Sequence, residues 1–146
     1  MSKGGRNMNQ IILASHGELA KGMKDTLNMI IGNTESIKVF SSYRDEETSI
    51  RDLIEEVIIE NYDINKIYIL TDIFGGSVNN EIMDLMKKYS KINLISGMNL
   101  PLVISIATTD NISDELLDEF IKDSQSAIIN CNKLLNKFID RKEEDL

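Results

Sequence analysis

Short apolar runs alternate along the chain with longer stretches in which apolar residues recur at steps of three and four. Residues Gln10–Ser15 (QIILAS) form a continuous run rich in β-branched types, the pattern of a strand covered on both faces, and it ends at His16. From Glu18 the positions Leu19, Met23, Leu27, Ile30 and Ile31 fall on one helical face, and Gly32-Asn33 supplies a stop. Ile37–Phe40 predicts a second strand and Ser41–Arg44 a loop. A helix opened by the acidic run Asp45–Glu47 should follow, with Ile50, Leu53, Ile54, Val57 and Ile58 on its inner face. Lys66–Thr71 (KIYILT) is the third strand, ending at Asp72. Beyond Gly75-Gly76, the residues Val78, Ile82, Leu85, Met86 and Tyr89 mark a third helix. Ile92–Ser96 is the fourth strand, after which Gly97-Met98-Asn99-Leu100-Pro101 turns into a short apolar helix whose proline sits in the first turn, where a missing N–H costs least. Ser113 is placed to cap a final helix with Leu117, Phe120, Ile121, Ser124, Ile128, Cys131, Leu135 and Phe138 on a single stripe.

Strands that alternate with helices predict an α/β fold, because each parallel crossover needs a helix to bring the chain back. The expected architecture is a three-layer sandwich: a mostly parallel central sheet in the order 2-1-3-4 with helices on both faces. Residues 1–8 read as a disordered N-terminal segment, 9–140 as one domain and 141–146 as a charged tail. In such a sheet, ligand chemistry gathers at the carboxyl ends of the strands where their order reverses, which here is the crevice between strands one and three. His16 and Asp72 are the residues that leave those two strands.

At 146 residues the chain has the size of one domain and buries enough surface, roughly 70% of the unfolded total, to need no metal or disulfide. The single cysteine, Cys131, lies in the apolar stripe and is expected to be a small buried hydrophobe. With 24 acidic and 16 basic side chains the net charge of −8 argues against a general nucleic-acid binder, although much of the acid falls in helix first turns and in the tail, where solvated carboxylates are ordinary. No apolar run approaches the roughly 18 residues of a membrane helix and the polar start lacks a secretory core, so a cytoplasmic location is expected.

The candidate chemistry rests on the only histidine in the sequence. A neutral imidazole is a good nucleophile for phosphorus when one nitrogen is free and the other holds its proton in a fixed direction. Asp72 is suited to accept that proton's hydrogen bond and to stabilise the charge that develops when His16 attacks. Gly75 and Gly76 let backbone approach closely, and a helix starting near Ser77 aims N–H groups and a hydroxyl at an anion. Taken singly, each signal also fits ordinary turn chemistry; their joint placement at strand ends is what singles them out. The chain has no Walker lysine, no GxGxxG and no cluster of metal-ligand spacing, which disfavours nucleotide hydrolysis, dinucleotide binding and zinc chemistry; no cofactor and no metal are expected. A Ser-His-Asp hydrolase using Ser15 or Ser77 is conceivable, but the GxSxG elbow is missing.

Three segments, SHGELAKG (Ser15–Gly22), TDIFGGS (Thr71–Ser77) and GMNLP (Gly97–Pro101), occur in an order and spacing that resembles the mannose/fructose/sorbose-family enzyme IIA components of the bacterial phosphoenolpyruvate-dependent sugar phosphotransferase system, over about residues 9–137. The resemblance implies a phosphotransferase that takes a phosphoryl group from the phosphocarrier protein HPr on His16 and passes it to a separate IIB protein, meeting the membrane only through the transporter complex. It implies that Asp72 orients the histidine and that Gly76 and Ser77 lie at the phosphoryl group. It also implies a homodimer with an exchanged C-terminal strand, for which residues 137–140 (KFID) are available, though they equally fit a continuing helix. Val78 stands where the family usually has proline; a first-turn proline only preorganises a helix, so a small effect on rate is expected. Two other functions remain open: phosphoryl donation to a dihydroxyacetone kinase, and a regulatory module that docks without transferring.

Overall fold

The computed structural model describes residues 9–43 and 49–144. Four strands, β1 (Asn9–His16), β2 (Lys38–Ser42), β3 (Lys66–Thr71) and β4 (Asn93–Ser96), form one all-parallel sheet in the order β2-β1-β3-β4. Six helices connect and follow them: α1 (Leu19–Ile31), α2 (Ile50–Asn61), α3 (Ser77–Leu85), α4 (Leu100–Ala107), α5 (Asp114–Ser126) and α6 (Cys131–Glu144). The expected strand order and the layering both hold.

The continuous apolar runs of β1 and β3 arise because successive side chains point to opposite faces and both faces are covered. On one side Ile11, Leu13, Tyr68 and Leu70 pack with Ala20 and Leu27 of α1, Leu102, Val103 and Ile106 of α4, and the inner face of α5. On the other, Ile12, Ala14, Ile67 and Ile69 meet Ile50, Ile54 and Ile58 of α2 and Val78, Ile82 and Leu85 of α3. The two central strands are thereby held between two separate cores. Register pairs Ala14 with Thr71, which brings the carboxyl ends of β1 and β3 side by side.

Local signals act as the sequence suggests at several ends. Gly32 stops α1 with a φ of 81° and its N–H bonded to the Asn28 carbonyl. Asn99 caps α4 by accepting from the Leu102 N–H, with Pro101 in the first turn, and Ser113 caps α5 by accepting from the Leu116 N–H. The acidic run Asp45–Glu47 lies outside the described residues.

The structure corrects the sequence reading at other points. The last helix is two helices: α5 ends at Ser126, and Asn130 begins α6 by accepting from the Lys133 N–H with its side chain. The three-and-four spacing runs straight through that break, so periodicity alone does not reveal it. Only the α5 half of the stripe packs inward; Ile128, Cys131, Leu135 and Phe138 are exposed, and Cys131 is therefore not a buried hydrophobe. Residues 137–140 are helical, within α6. β2 reaches Ser42 rather than giving way to a loop at Ser41, β4 starts at Asn93, and α3 stops at Leu85, leaving Tyr89 in the following turn with its hydroxyl donating to Glu55. Leu19 and Ile30 of the predicted α1 stripe, and Leu53 of α2, face solvent.

Because Leu13 has no exposed surface on a central strand, Leu13→Ala should lower the unfolding free energy by about 2–5 kcal/mol. A urea titration read by circular dichroism measures the loss.

Candidate functional site

The site is assembled by the ends of β1 and β3. β1 releases the chain at His16, and Gly17 follows in a left-handed conformation (φ 57°) that only glycine adopts without strain, its N–H donating to the Ser42 carbonyl at the end of β2. Ser15, fully buried, accepts the Ala20 N–H at 2.8 Å and so fixes the start of α1 against the strand. That bond and that burial remove Ser15 as a candidate nucleophile. β3 releases the chain at Asp72, and a turn closed by the Gly76 N–H to the Ile73 carbonyl leads into α3.

One imidazole bridges the two. His16 Nδ1 lies 2.8 Å from Asp72 Oδ2, the same oxygen accepts the His16 backbone N–H at 2.9 Å, and Oδ1 accepts the Ile73 N–H at 2.9 Å. His16 Nε2 lies 3.1 Å from the Ser77 hydroxyl. An ionised carboxylate only accepts, so this network assigns the proton to Nδ1 and leaves Nε2 with its lone pair, receiving the hydroxyl proton of Ser77. The ring is half exposed whereas Asp72 is mostly covered. Burial pushes the Asp72 pKa up, but the His16 backbone N–H, the His16 ring and the Ile73 N–H together outweigh it and hold the carboxylate below its ordinary range.

Gly75 and Gly76 serve this geometry differently. Gly75 occupies the left-handed region (φ 83°) in the turn, with its carbonyl accepting from the Asn80 side chain. Gly76 is extended, but a Cβ there would stand 2.9 Å from Ile73 Cγ2 and 3.2 Å from His16 Cε1, so its bareness makes room for the ring. Gly76 is also the N-cap residue of α3, which has no side-chain cap, and Ser77, the first residue of that helix, carries the hydroxyl that lies at Nε2; an uncapped helix start favours an anion. Val78, the departure from the family pattern, is buried in the core between α3 and the sheet.

All five residues singled out from the sequence, His16, Asp72, Gly75, Gly76 and Ser77, thus fall in one site, three of them in direct hydrogen-bond contact. Two buried groups beneath them were not singled out. The Thr71 hydroxyl donates to Asn79 Oδ1 at 2.6 Å, and the Thr71 carbonyl accepts the Met98 N–H at 3.0 Å. The available signals were a hydroxyl ending an apolar strand and an asparagine beside the inward face of an apolar helix. Among the described residues no group of three or more His, Cys, Asp and Glu side chains is arranged to hold a metal, and no helix is long and apolar enough to cross a membrane.

Comparison with known proteins yields relatives in sequence and in fold. The chain is 27% identical over 104 residues to the sorbose-specific EIIA component of the phosphotransferase system (PTS) of Lacticaseibacillus casei, covering 70% of this chain and 74% of that one. Its fold matches the crystal structure of the PTS IIA protein associated with the fucose utilization operon of Streptococcus pneumoniae, with a TM-score of 0.79 and 25% identity over 88% of this chain and 97% of the other. It also matches the mannose/sorbose-specific IIA subunit from Enterococcus faecalis, with a TM-score of 0.71 and 26% identity over 84% and 94% of the two chains. A family model described as the PTS system fructose IIA component matches residues 10–133, and the chain therefore belongs to this family of sugar phosphotransferase IIA components.

Proposed function

We propose that the protein is a phosphocarrier that accepts a phosphoryl group from phospho-HPr on His16 Nε2 and passes it to a IIB protein during sugar uptake. The observation that carries this is the imidazole held at both nitrogens, with Nδ1 on Asp72 and Nε2 facing the Ser77 hydroxyl and an uncapped helix end. In the forward step the Nε2 lone pair attacks phosphorus, the bond to the donor's histidine breaks, and its electrons return to the donor ring. Asp72 stabilises the positive charge left on His16. The Ser77 hydroxyl turns from the ring to a phosphoryl oxygen, and the α3 N-terminus receives the remaining charge. Transfer to IIB runs the same step in reverse toward a new nucleophile, so no metal is required by the balance of charge and atoms.

The surroundings suit a protein partner. Leu19, Tyr43, Ile73 and Phe74 stand exposed on the segments that leave the strand ends near His16, and such apolar side chains are what a docking phosphoprotein covers. The sugar itself never meets these residues, so the site carries no sugar specificity. We further assign a homodimer: no residue of α6 is buried within its own chain, and Leu134, Leu135, Phe138 and Ile139 are exposed along it, a face that a second copy would cover.

Incubation with phosphoenolpyruvate, enzyme I and HPr should add about 80 Da to the intact protein, and His16→Ala should abolish the gain. The connectivity Ser77–His16–Asp72 also matches a hydrolase triad, and Ser77→Ala separates the two: a carrier still gains the phosphoryl group, more slowly, whereas a serine hydrolase gains none. A gain that is never passed on to a IIB protein would assign a regulatory role instead.

Asp72→Asn should keep the fold and slow phosphorylation by roughly 100-fold or more, because the amide neither fixes the Nδ1 proton nor carries the compensating charge. A carboxylate whose pKa is lowered on folding adds stability that is complete above its unfolded value and is lost as pH falls through its folded value. Wild type should accordingly lose more stability than Asp72→Asn as pH drops below about 4, and parallel acid titrations of the two would refute the carboxylate's role.

Sedimentation velocity should give twice the chain mass, and Leu135→Glu with Phe138→Glu should give the single-chain mass with the circular dichroism spectrum retained. A wild-type monomer at micromolar concentration excludes the dimer.

A further inference from the structure

We infer that Thr71 and Asn79 are positioning residues of the His16 site, their buried hydrogen bond setting the separation between Asp72 and Ser77 across the imidazole. Thr71 is the last residue of β3 and Asn79 the third of α3, so their contact closes the base of the loop 72–78. That loop carries Asp72 at one end and Ser77 at the other, and these touch opposite nitrogens of one rigid ring at 2.8 and 3.1 Å. Any change in how the strand end sits against the helix start therefore alters both distances together. Thr71 is held a second time, through its carbonyl, by the Met98 N–H after β4, and cannot drift to follow the helix.

Both partners are almost completely buried, so water does not compete for the bond. A hydrogen bond fixes a separation to within a few tenths of an ångström, which apolar contact does not. For stability alone an apolar pair of the same shape would serve nearly as well, since replacing both partners of a buried hydrogen bond is often close to neutral. The position next to Val78, at the foot of a helix whose inner face is Val78, Ile82 and Leu85, is one where an apolar side chain would pack readily. The polar pair supplies what that packing would not, a fixed distance at the base of the segment that carries Asp72 and Ser77.

The rate predicted below rests on the phosphocarrier function, but the tautomer of His16 does not, and the two are measured separately. Nitrogen chemical shifts of the imidazole report the fraction with the proton on Nδ1, and stopped mixing with phospho-HPr reports phosphorylation. Thr71→Val keeps the shape and removes the donor; it should lower the Nδ1–H fraction and slow phosphorylation about tenfold, with KM for phospho-HPr changed less than about twofold. Thr71→Ser restores the hydroxyl and should bring rate and tautomer back to within about twofold of wild type. The double variant Thr71→Val, Asn79→Leu removes the Asn79 oxygen that the single variant strands, so it should recover thermal stability while the tautomer and rate stay impaired. A wild-type tautomer fraction in folded Thr71→Val overturns the inference, whatever its melting temperature. Should that variant not fold, a wild-type fraction in the double variant overturns it equally. If the wild-type protein takes no phosphoryl group at all, the phosphocarrier function fails, while the tautomer measurements still decide the role of Thr71 and Asn79.

Discussion

The structure of this site depends on one imidazole being held from both sides by groups that belong to different parts of the chain. Asp72 takes the ring at Nδ1 and Ser77 meets it at Nε2, and Asp72 is itself anchored by two backbone N–H groups, of His16 and Ile73. A carboxylate with three donors around it stays ionised, and an ionised carboxylate fixes where the ring proton sits. The lone pair at Nε2 is thus set by bonds made at the far nitrogen. The burden then shifts to the scaffold, which has to keep the ends of β1 and β3 in register.

The scaffold does so by burying both faces of those strands. Parallel pairing aligns Ala14 with Thr71, and two cores clamp the pair, one through α1, α4 and α5 and the other through α2 and α3. Side chains at the strand ends then tie each following helix to its strand: Ser15 takes the Ala20 N–H, and Thr71 bonds Asn79. Both are buried hydroxyls, one step before His16 and Asp72 respectively. The site therefore inherits the rigidity of the sheet, with His16 ending β1, Asp72 directly following β3 and Ser77 opening α3.

Much of this was legible in the residues. Continuous apolar runs at Gln10–Ser15 and Lys66–Thr71 mark doubly covered strands, and the alternation of strand and helix leads to a parallel sheet whose switch point collects His16 and Asp72. Where the reading went astray, the lost information was tertiary. The stripe from Leu117 to Phe138 keeps a helical period across a break that Asn130 makes by capping α6, and a period says nothing about which half has a core to meet; hence Cys131 emerges on the surface. The partners of Ser15 and Thr71 lie five and eight residues away through turns whose shapes depend on positive-φ glycines and packing, so no spacing rule exposes them. The extension of β2 to Ser42 likewise follows from pairing with His16, a contact made only after folding.

The missing cap on α3 has a consequence for the energetics of the molecule as a whole. A helix that begins at a bare glycine, with no side chain to satisfy its first turn, is less stable than one with Ser, Asp or Asn at that place by only a few tenths of a kcal/mol, because glycine leaves the first N–H groups open to other acceptors. An anion seated at Nε2 would act as the absent cap, completing a secondary-structure element from outside the chain. Loading and emptying the site would then raise and lower the stability of α3, and with it the packing of Val78, Ile82 and Leu85 against the sheet. In that sense the charge state of one exposed ring would be registered in the interior, as a difference in how firmly one layer of the sandwich is held.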